Sequence, residues 1–421
     1  MSNCTQPKER AAAPGEGWPA ALLRLVERME EEARAGGIRP ALLRKAAMLL
    51  PPGAAGDALR LELERMAAKA AIPARPSHEL CTVSDGNYLP RLFALIASLE
   101  RCEPGSYRLQ VACLDETAAT VLARLKNPAV VPIPVAALEG ADPQLAAVRS
   151  GRSVAEYSWT LKPTLLLGIL ERDPAIEVLT YLDGDLFFFA PVRQLLDELG
   201  SASVLIHRHN FSSECAPLEA QSGPYNAGMV AFRNDPRARA VLRWWRERCL
   251  EWCFNRFEDG KFADQTYLTS FRARCDAVSE SRRLSVGTAL WSQGRAPIGA
   301  LPSGAPSIGS EPIVFYHAHG FATVRPGLHV PSKDLYYRPT LSLVRNVYLP
   351  YIRAVEEGAA RVQSVWPAWR PGSPFTGLTP QHAVVAERKL RPLLRQAGLG
   401  HPIVELDDAW DCHAGPQLRM E

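Results

Sequence analysis

The chain has 421 residues, of which 47% are hydrophobic and 22% charged, a composition that is typical of globular proteins and sufficient for a full hydrophobic core. The formal net charge of +3, with Lys and Arg interspersed among Asp and Glu, argues against nucleic acid as a partner. No apolar stretch approaches the roughly 20 residues needed to span a bilayer, and the polar N-terminus lacks a signal region. Nine scattered cysteines favour free thiols, so a cytoplasmic protein is predicted.

Hydrophobic patterning divides the chain into three regions. Residues 1–76 predict a helical N-terminal extension that is disordered over residues 1–16. Residues 77–340 alternate apolar runs with helical patterns and predict a separate domain. Residues 341–421 predict a C-terminal extension that is helical and rich in proline.

The central region alternates strands with helices. Strands are predicted at 80–84, 109–114, 130–135, 178–189, 203–207, 229–232 and 313–316, and helices at 88–100, 115–126, 161–171 and 237–254. This order indicates an α/β fold with a mostly parallel sheet covered by helices on both faces. Ligands of such sheets bind beyond the carboxyl ends of the strands, and both Asp85 and the pair Asp183/Asp185 fall at such ends.

Two carboxylates interrupt the apolar run of residues 178–189. Asp183 and Asp185 flank Gly184, and side chains at positions i and i+2 of an extended segment point to the same side. Buried carboxylates require compensation, so the pair predicts a divalent cation site, which commonly also holds substrate phosphates. The structural alternative is that the pair caps the next helix or pairs with Arg193.

Two histidines follow the apolar strand predicted at 313–316. A neutral imidazole from His317 or His319 could complete the coordination of a divalent ion, and Gly320 would let a phosphate oxygen approach the backbone. A lone histidine is more often structural. Two histidines and a glycine after an apolar strand favour a ligand.

Four further segments allow both a functional and a structural interpretation. Asp85-Gly86-Asn87-Tyr88 could hydrogen-bond and stack a base, or simply cap the next helix. Tyr225-Asn226-Ala227-Gly228 suits contact with a sugar or a tight turn. Asp264-Gln265 offers a carboxylate and an amide ahead of a helix, and Lys162 could be only a solvated charge near a helix start.

In chain order, these motifs resemble those of the family 8 glycosyltransferases of GT-A type, in particular a bacterial branch of nucleotide-sugar transferases. The resemblance covers residues 78–340, and the segment 243–267 is especially similar to the bacterial branch. Each motif is weak alone, whereas five in the family's order are specific. The five are Asp85-x-Asn87-Tyr88, Asp183-x-Asp185, Asn226-Ala227-Gly228, Asp264-Gln265 and His317-x-x-Gly320.

The resemblance implies a Rossmann-like GT-A domain that transfers a sugar from a nucleotide-diphosphate donor, expected to be a UDP-sugar, to a hydroxyl acceptor with retention of configuration. It implies Mn²⁺ or Mg²⁺ as the cofactor. The implied roles fall into three sets: Asp183, Asp185 and His317 for the metal; Asp85, Asn87, Tyr88, Asp183, Asn226, Ala227, Gly228 and Gly320 for the donor; and Asp264, Gln265 and Lys162 for catalysis.

The chain departs from the family in its last motif. The family often carries Lys-Pro-Trp beginning six residues beyond the histidine, where this chain has Thr323. Arg325-Pro326 follows shortly after, and Arg325 is the suggested replacement for the diphosphate-binding lysine.

Two other functions remain open. Asp-x-Asp after an apolar strand also resembles the haloacid-dehalogenase phosphatases, which usually carry Thr or Val where this chain has Phe187. A non-catalytic protein that binds nucleotide-sugars or glycans is the third hypothesis. The acceptor, a glycan or a lipid-linked molecule, cannot be read from the chain. The basic piece at 384–395 suggests a peripheral membrane contact, although a solvated helix face is the simpler interpretation.

Overall fold

The computed structural model describes residues 77–325, 328–332 and 339–370, with the short pieces 45–48, 50, 60, 63 and 418–419. The chain forms two compact units, Met1–Pro76 and Ser77–Glu421. Most of the predicted N-terminal helices, and the basic piece at 384–395, lie outside the described residues. The predicted domain boundary at residue 340 stays a prediction.

The second unit is built around a seven-stranded sheet in the order β3-β2-β1-β4-β7-β6-β8. Strand β7 runs antiparallel to both of its neighbours, and the other six strands run in one direction. The predicted class, an α/β fold with a mostly parallel sheet, is therefore confirmed. The strands are β1 (His78–Ser84), β2 (Tyr107–Cys113), β3 (Val130–Pro134), β4 (Val178–Leu182), β6 (Val204–Arg208), β7 (Tyr225–Arg233) and β8 (Val278–Ser281).

Helices cover both faces of this sheet. One hydrophobic core includes Leu165 and the fully buried Trp245, and the other includes Leu92 and Val121. The helices are α1 (Leu89–Cys102), α2 (Glu116–Leu125), α3 (Val135–Ala141), α4 (Pro143–Val148), α5 (Val154–Arg172), α6 (Arg193–Leu199), α7 (Glu219–Ser222), α8 (Pro236–Glu251) and α9 (Phe271–Arg274). Helix α5 begins at a capping box, in which Ser153 and Glu156 satisfy each other's backbone N–H groups.

A C-terminal helical region packs back onto α1. It consists of α10 (Leu341–Leu343), a π-helical turn (Val344–Tyr348) and α11 (Leu349–Val365). A Cβ atom at Gly358 of α11 would lie 2.8 Å from the Cβ of Phe93 and 2.8 Å from the carbonyl oxygen of Pro90. The glycine therefore permits the close approach of these two helices.

The apolar run predicted as a single strand at 178–189 is two strands in two different sheets. Strand β4 ends at Leu182, and β5 (Leu186–Phe188) pairs with β13 (Phe315–His317) in a three-stranded sheet that also contains β9 (Val286–Thr288). The prediction was wrong because residues 186–188 bury their apolar side chains against β13, and the backbone turns at Asp183, whose carbonyl accepts the Leu186 N–H.

The remaining described strands are short. Strands β10 (Ile298–Ala300), β11 (Pro306–Ile308) and β12 (Glu311–Pro312) form one antiparallel sheet. Strands β14 (Ala322–Arg325), β15 (Leu328–Val330) and β16 (Leu418–Arg419) form another, and Arg325 therefore lies in an edge strand of that sheet.

Candidate active site

The turn between β4 and β5 lies at the topological switch point of the large sheet. The chain runs from β1 to β2 and β3 on one side and then returns to β4 on the other, so the carboxyl ends of β1 and β4 open a crevice. This is where open α/β sheets bind ligands. Asp85 follows β1 and Asp183 follows β4, so the sequence-based placement of both residues at this edge is correct.

Asp183, Asp185 and His317 converge there. Each offers one ligand atom within 4.8 Å of the other two, the one such group of three found in the described part of the chain. The Nε2 atom of His317 lies 3.3 Å from Asp185 Oδ1 and 3.9 Å from Asp183 Oδ2. The register of β13 on β5 sets this geometry, because it places His317 opposite Leu186 while the Ala318 N–H donates to the Asp185 carbonyl. His319 is exposed and lies outside the group.

The approach of His317 to the carboxylates depends on a glycine in β7. A Cβ atom at position 228 would lie 2.7 Å from Asn226 Oδ1 and 2.9 Å from His317 Cε1, closer than such atoms can stand. Gly228 therefore leaves the space that the imidazole occupies. Its carbonyl also accepts the Asp183 N–H at 2.7 Å, which ties the metal turn to β7.

Two tyrosine hydroxyls orient the two carboxylates. Tyr88 donates to Asp185 Oδ2 at 2.9 Å, and Tyr181 donates to Asp183 Oδ1 at 3.0 Å. Burial opposes ionisation of Asp185, but His317, His319 and the Tyr88 hydroxyl outweigh it and hold the pKa of this carboxyl well below its usual range. Asp185 is therefore ionised at neutral pH, as a metal ligand must be.

Lys162 lies in the middle of α5 and is buried, contrary to the interpretation as a solvated charge near a helix start. Its ammonium group is 3.1 Å from Asp183 Oδ1 and 3.0 Å from Asp264 Oδ2, and it donates to the Ala227 carbonyl at 3.2 Å. Burial lowers the pKa of Lys162, but the two carboxylates outweigh burial and raise it above its usual value. The ammonium therefore donates one hydrogen bond to the backbone and forms ion pairs with two carboxylates, of which Asp264 Oδ2 is buried with no hydrogen-bond partner among the described residues.

The charges of this cluster do not balance without a cation. Burial raises the pKa of Asp264, and the Lys162 ammonium opposes that rise. With all three carboxylates ionised and the His317 imidazole neutral, Asp183, Asp185 and Asp264 carry three negative charges and Lys162 supplies one positive charge. The remaining two negative charges lie largely buried, since Asp185 and Asp264 are 6% and 3% exposed. Uncompensated buried charge is costly, and carboxylate oxygens with one imidazole nitrogen form a ligand set that Mn²⁺ or Mg²⁺ accepts. The residues present therefore fit a divalent ion.

The motif Asn226-Ala227-Gly228 lies inside β7, so the alternative that it closes a tight turn is wrong. Its backbone continues the ladder between β4 and β6, which a turn would end. Asn226 Oδ1 accepts the Gly228 N–H at 2.8 Å, and its amide nitrogen lies 3.2 Å from His209 Nε2. Ala227 contributes its carbonyl to Lys162.

The turn after β1 is fixed from three sides. The Asp85 side chain accepts the Tyr88 N–H at 2.7 Å, and the Gly86 N–H donates to Asp115 at 2.9 Å. The indole N–H of Trp369, which follows α11, donates to the Gly86 carbonyl at 2.9 Å. Asn87 is exposed at the tip of the turn. The C-terminal helical region thus reaches the predicted base-binding segment, a contact that no local sequence pattern indicates.

Tyr88 is enclosed by its neighbours. The Arg91 guanidinium lies 4.5 Å from the centre of its ring, and a Cβ atom at Gly184 would stand 3.2 Å from the ring edge. With its hydroxyl on Asp185, the side chain links the predicted base-binding turn to the candidate metal group. Its predicted role in stacking a base stays a prediction.

Asp264 joins the cluster through its ion pair with Lys162, whereas the Gln265 side chain contacts a different segment. Ala263 before them has a φ of 50°, an unusual left-handed backbone for a residue with a side chain, and strained backbone of this kind concentrates at functional sites. The Trp245 indole N–H donates to the Asp264 carbonyl at 3.0 Å. Gln265 donates to the Ser222 carbonyl at 3.0 Å. Gly320, with a φ of 73°, turns the loop after β13.

Sequence reasoning missed Tyr181 and two buried histidines beside the site. His207 and His209 lie at the end of β6, and burial, together with neighbouring histidines, lowers the pKa of each to about 3. His209 stacks on Phe211 with ring centres 4.5 Å apart. A sequence signal was available, because His207 and His209 stand one residue apart after an apolar run, as Asp183 and Asp185 do.

No helix among the described residues is both long enough and apolar enough to cross a membrane. No protein-family model matches the chain.

Two proteins of Bacillus subtilis strain 168 are similar in sequence. The uncharacterized protein YfnF is 33% identical over 250 residues, which cover 58% of this chain and 82% of YfnF. The uncharacterized protein YfnD is 27% identical over 311 residues, which cover 72% of this chain and 95% of YfnD. The chain belongs to the same family as YfnF.

Solved structures of glycosyltransferases are similar to the chain at low identity. Mouse xyloside xylosyltransferase 1 gives a TM-score of 0.37 at 14% identity, covering 57% of this chain and 97% of that protein. The galactosyltransferase LgtC gives a TM-score of 0.38 at 14% identity, and the match covers 68% of this chain and 95% of LgtC. GlyE of Streptococcus pneumoniae TIGR4 gives a TM-score of 0.42 at 11% identity, and the match covers 70% of this chain and 64% of GlyE. All three TM-scores are below 0.5.

Proposed function

We propose that this member of the YfnF family is a metal-dependent glycosyltransferase that moves a sugar from a nucleotide-diphosphate donor, a UDP-sugar, to a hydroxyl of a glycan or lipid-linked acceptor. The observation that carries the proposal is the convergence of Asp183, Asp185 and His317 at the switch point of the sheet. The excess of two negative charges in this crevice suits a divalent ion, and such an ion commonly holds a diphosphate as well. The order of the five sequence motifs supports the same conclusion.

In this proposal Asp183, Asp185 and His317 hold Mn²⁺ or Mg²⁺. The bound ion supplies Lewis-acid stabilisation to the departing nucleoside diphosphate. Tyr88 and Tyr181 fix the rotamers of the two carboxylates through their hydroxyl groups, so the ligand atoms are positioned before the donor arrives. Asp85, Asn87 and Tyr88 form the wall for the base, and Gly320 leaves room for a phosphate oxygen.

The sugar-binding part of the proposal rests on Asp264, Asn226 and Gln265. Asp264 is buried beside Lys162 and would accept a hydrogen bond from a sugar hydroxyl. Lys162 acts through Asp183 and Asp264, because its ammonium lies between the two carboxylates and forms an ion pair with each. Gln265 is proposed to lie near the reacting carbon. Retention of configuration is carried over from the family resemblance, and no nucleophile or general base is assigned.

A thermal-shift screen of nucleotide-sugars, with and without Mn²⁺, tests this function. We expect one donor to raise the melting temperature only when Mn²⁺ is present. Asp185→Asn should abolish the metal-dependent shift and the turnover, while Asp197→Asn, an exposed carboxylate on α6, should change neither. Metal-dependent turnover of the Asp185→Asn protein at the wild-type rate would show that the metal assignment is wrong.

The two other hypotheses give different outcomes with the same protein. A haloacid-dehalogenase-like phosphatase would release phosphate from p-nitrophenyl phosphate, which a glycosyltransferase would leave intact. A non-catalytic binding protein would show the donor-dependent thermal shift without hydrolysis of the donor or transfer to any glycan.

A further inference from the structure

A cluster of three arginines lies on the same edge of the large sheet as the metal ligands. Arg208 is the last residue of β6, and Glu280 is the residue before the last in β8. Strands β4, β6 and β8 run in the same direction, so their carboxyl ends share one edge. With neighbouring strands about 4.8 Å apart, Arg208 and Glu280 lie two and three strand spacings from Asp183, on the order of 10–15 Å.

All three arginines of the cluster form ion pairs with one buried carboxylate, that of Glu280. Glu280, whose side chain is 3% exposed, accepts hydrogen bonds from Arg208 and Arg282 at Oε1, and from Arg272 and the Tyr225 hydroxyl at Oε2. Four donors saturate this carboxylate. Burial raises the pKa of Glu280, but the arginines and Tyr225 outweigh it and lower the pKa overall, so the group is ionised.

The arginines retain donors and positive charge after Glu280 is satisfied. A guanidinium group has five N–H donors, and among the described residues Glu280 is the acidic partner of both Arg272 and Arg282. The side chains of Arg272 and Arg282 are 53% and 74% exposed. Glu219 also lies close enough to act on the charge of Arg208. With both carboxylates counted, the three arginines leave one positive charge at this edge.

The cluster is joined to the proposed sugar site through the backbone. His207 lies opposite Asn226, and Arg208 lies opposite Tyr225, in the register of β6 on β7. Arg272 belongs to the helical segment that begins just after Gln265, formed by residues Thr266–Ser270 and Phe271–Arg274. A molecule that reaches the donor sugar from this side therefore passes the arginines.

We propose that Arg272 and Arg282, supported by Arg208 on Glu280, bind an anionic group of the acceptor, a phosphate or a carboxylate. Planar guanidinium groups match both anions with paired N–H donors, which makes arginine the preferred residue for them. A neutral glycan would leave unused the one positive charge that remains at this edge after Glu280 and Glu219 are counted. The role as an acceptor site rests on the proposed function, whereas the anion site itself does not.

Isothermal titration calorimetry of the full chain tests the inference with glycerol 1-phosphate and glucuronate as probes, and with glycerol and glucose as their neutral controls. The titrations are run in EDTA and repeated with saturating Mn²⁺ and UDP. We expect at least one anion to bind saturably, and the identity of that anion decides between a phosphate and a carboxylate. We expect binding to persist with Mn²⁺ and UDP, because the cluster is distinct from the diphosphate position.

Arg272→Gln/Arg282→Gln should weaken this binding at least tenfold. The matched control is Arg237→Gln/Arg243→Gln, which removes the same charge from two exposed arginines that pair with the exposed carboxylates of Asp276 and Glu171, at the opposite edge of the sheet. The inference is overturned if neither anion binds saturably, if both double variants lose binding equally, or if UDP with Mn²⁺ displaces the anion. Failure of UDP to bind would instead refute the proposed function, because the titrations in EDTA remain informative.

Discussion

Gly228 offers the sharpest test of how the fold builds the metal site. Gly228→Ala adds one methyl group in β7, where the backbone conformation tolerates a side chain and only the space is limiting. The new Cβ atom would stand 2.7 Å from Asn226 Oδ1, 2.9 Å from His317 Cε1 and 3.0 Å from His317 Nδ1. Each of these atoms belongs to a residue of the proposed donor and metal site.

The expected loss follows from the size of the overlap. Ordinary contact begins at 3.4 Å, so the imidazole must retreat from 2.9 Å by about 0.5 Å. Metal–ligand distances tolerate changes of about 0.2 Å, so His317 would no longer reach an ion held by the two carboxylates. We expect Mn²⁺ affinity to fall about 10- to 100-fold, the range seen when the support of a ligand is removed. Overpacking should also cost about 1–3 kcal/mol of stability.

Mn²⁺ titration by calorimetry, with urea unfolding in parallel, measures both quantities. The control is Gly168→Ala on the exposed side of α5, where no atom lies within 4 Å of the added Cβ. That variant should bind Mn²⁺ normally and gain about 0.5–1 kcal/mol of stability, because alanine is the better helix former. Wild-type Mn²⁺ affinity in a folded Gly228→Ala protein would refute the proposed part of His317 in the site.

Three further perturbations probe the surroundings of the metal ligands. Tyr88→Phe removes the hydroxyl that orients Asp185 Oδ2, so Mn²⁺ affinity should fall about 3- to 10-fold, and equal affinities of variant and wild type in a Mn²⁺ titration would contradict this. Lys162→Met leaves the buried Asp264 and the half-buried Asp183 without their cation and should cost about 3–5 kcal/mol in urea unfolding; a loss below about 1 kcal/mol would argue against the ion cluster. Burial lowers the pKa of both His207 and His209 from 6.5 in the unfolded chain to about 3 in the folded protein. The unfolded chain therefore binds more protons at these two histidines, and acid favours it. Their contribution to stability is present above pH 6.5 and falls by about 2–3 kcal/mol between pH 7 and 5.5, and an unchanged urea midpoint over this range would disprove it.

Local patterns were sufficient for the elements that depend on near neighbours. The strand ending before Asp85, the helix that follows it and the strand at 130–134 appear where the alternation of apolar and polar residues predicts them. The helix predicted at 161–171 is longer in the structure, because Ser153 and Glu156 cap it earlier. Such features are set by the period of the side chains and by caps within a few residues.

The carboxylate turn shows where local reasoning fails. Residues 178–189 read as one apolar strand, because both halves are buried and no Gly-Pro pair separates them. The partner of the second half is β13, far downstream in the chain, and pairing with it bends the backbone at Asp183 and Asp185. The residues of the metal group were predicted, but the turn that aims them was not.

The sequence by itself determined which residues are proposed to carry the chemistry, since paired carboxylates, histidines after a strand and small residues beside an amide are local patterns. The tertiary structure alone decided how they meet: Lys162 joins Asp183 to Asp264, Tyr88 holds Asp185, and Gly228 leaves room for His317. Each of these contacts joins segments that are distant in the chain. Their distances depend on strand order and register, which arise from packing of the whole sheet and not from any short stretch of sequence.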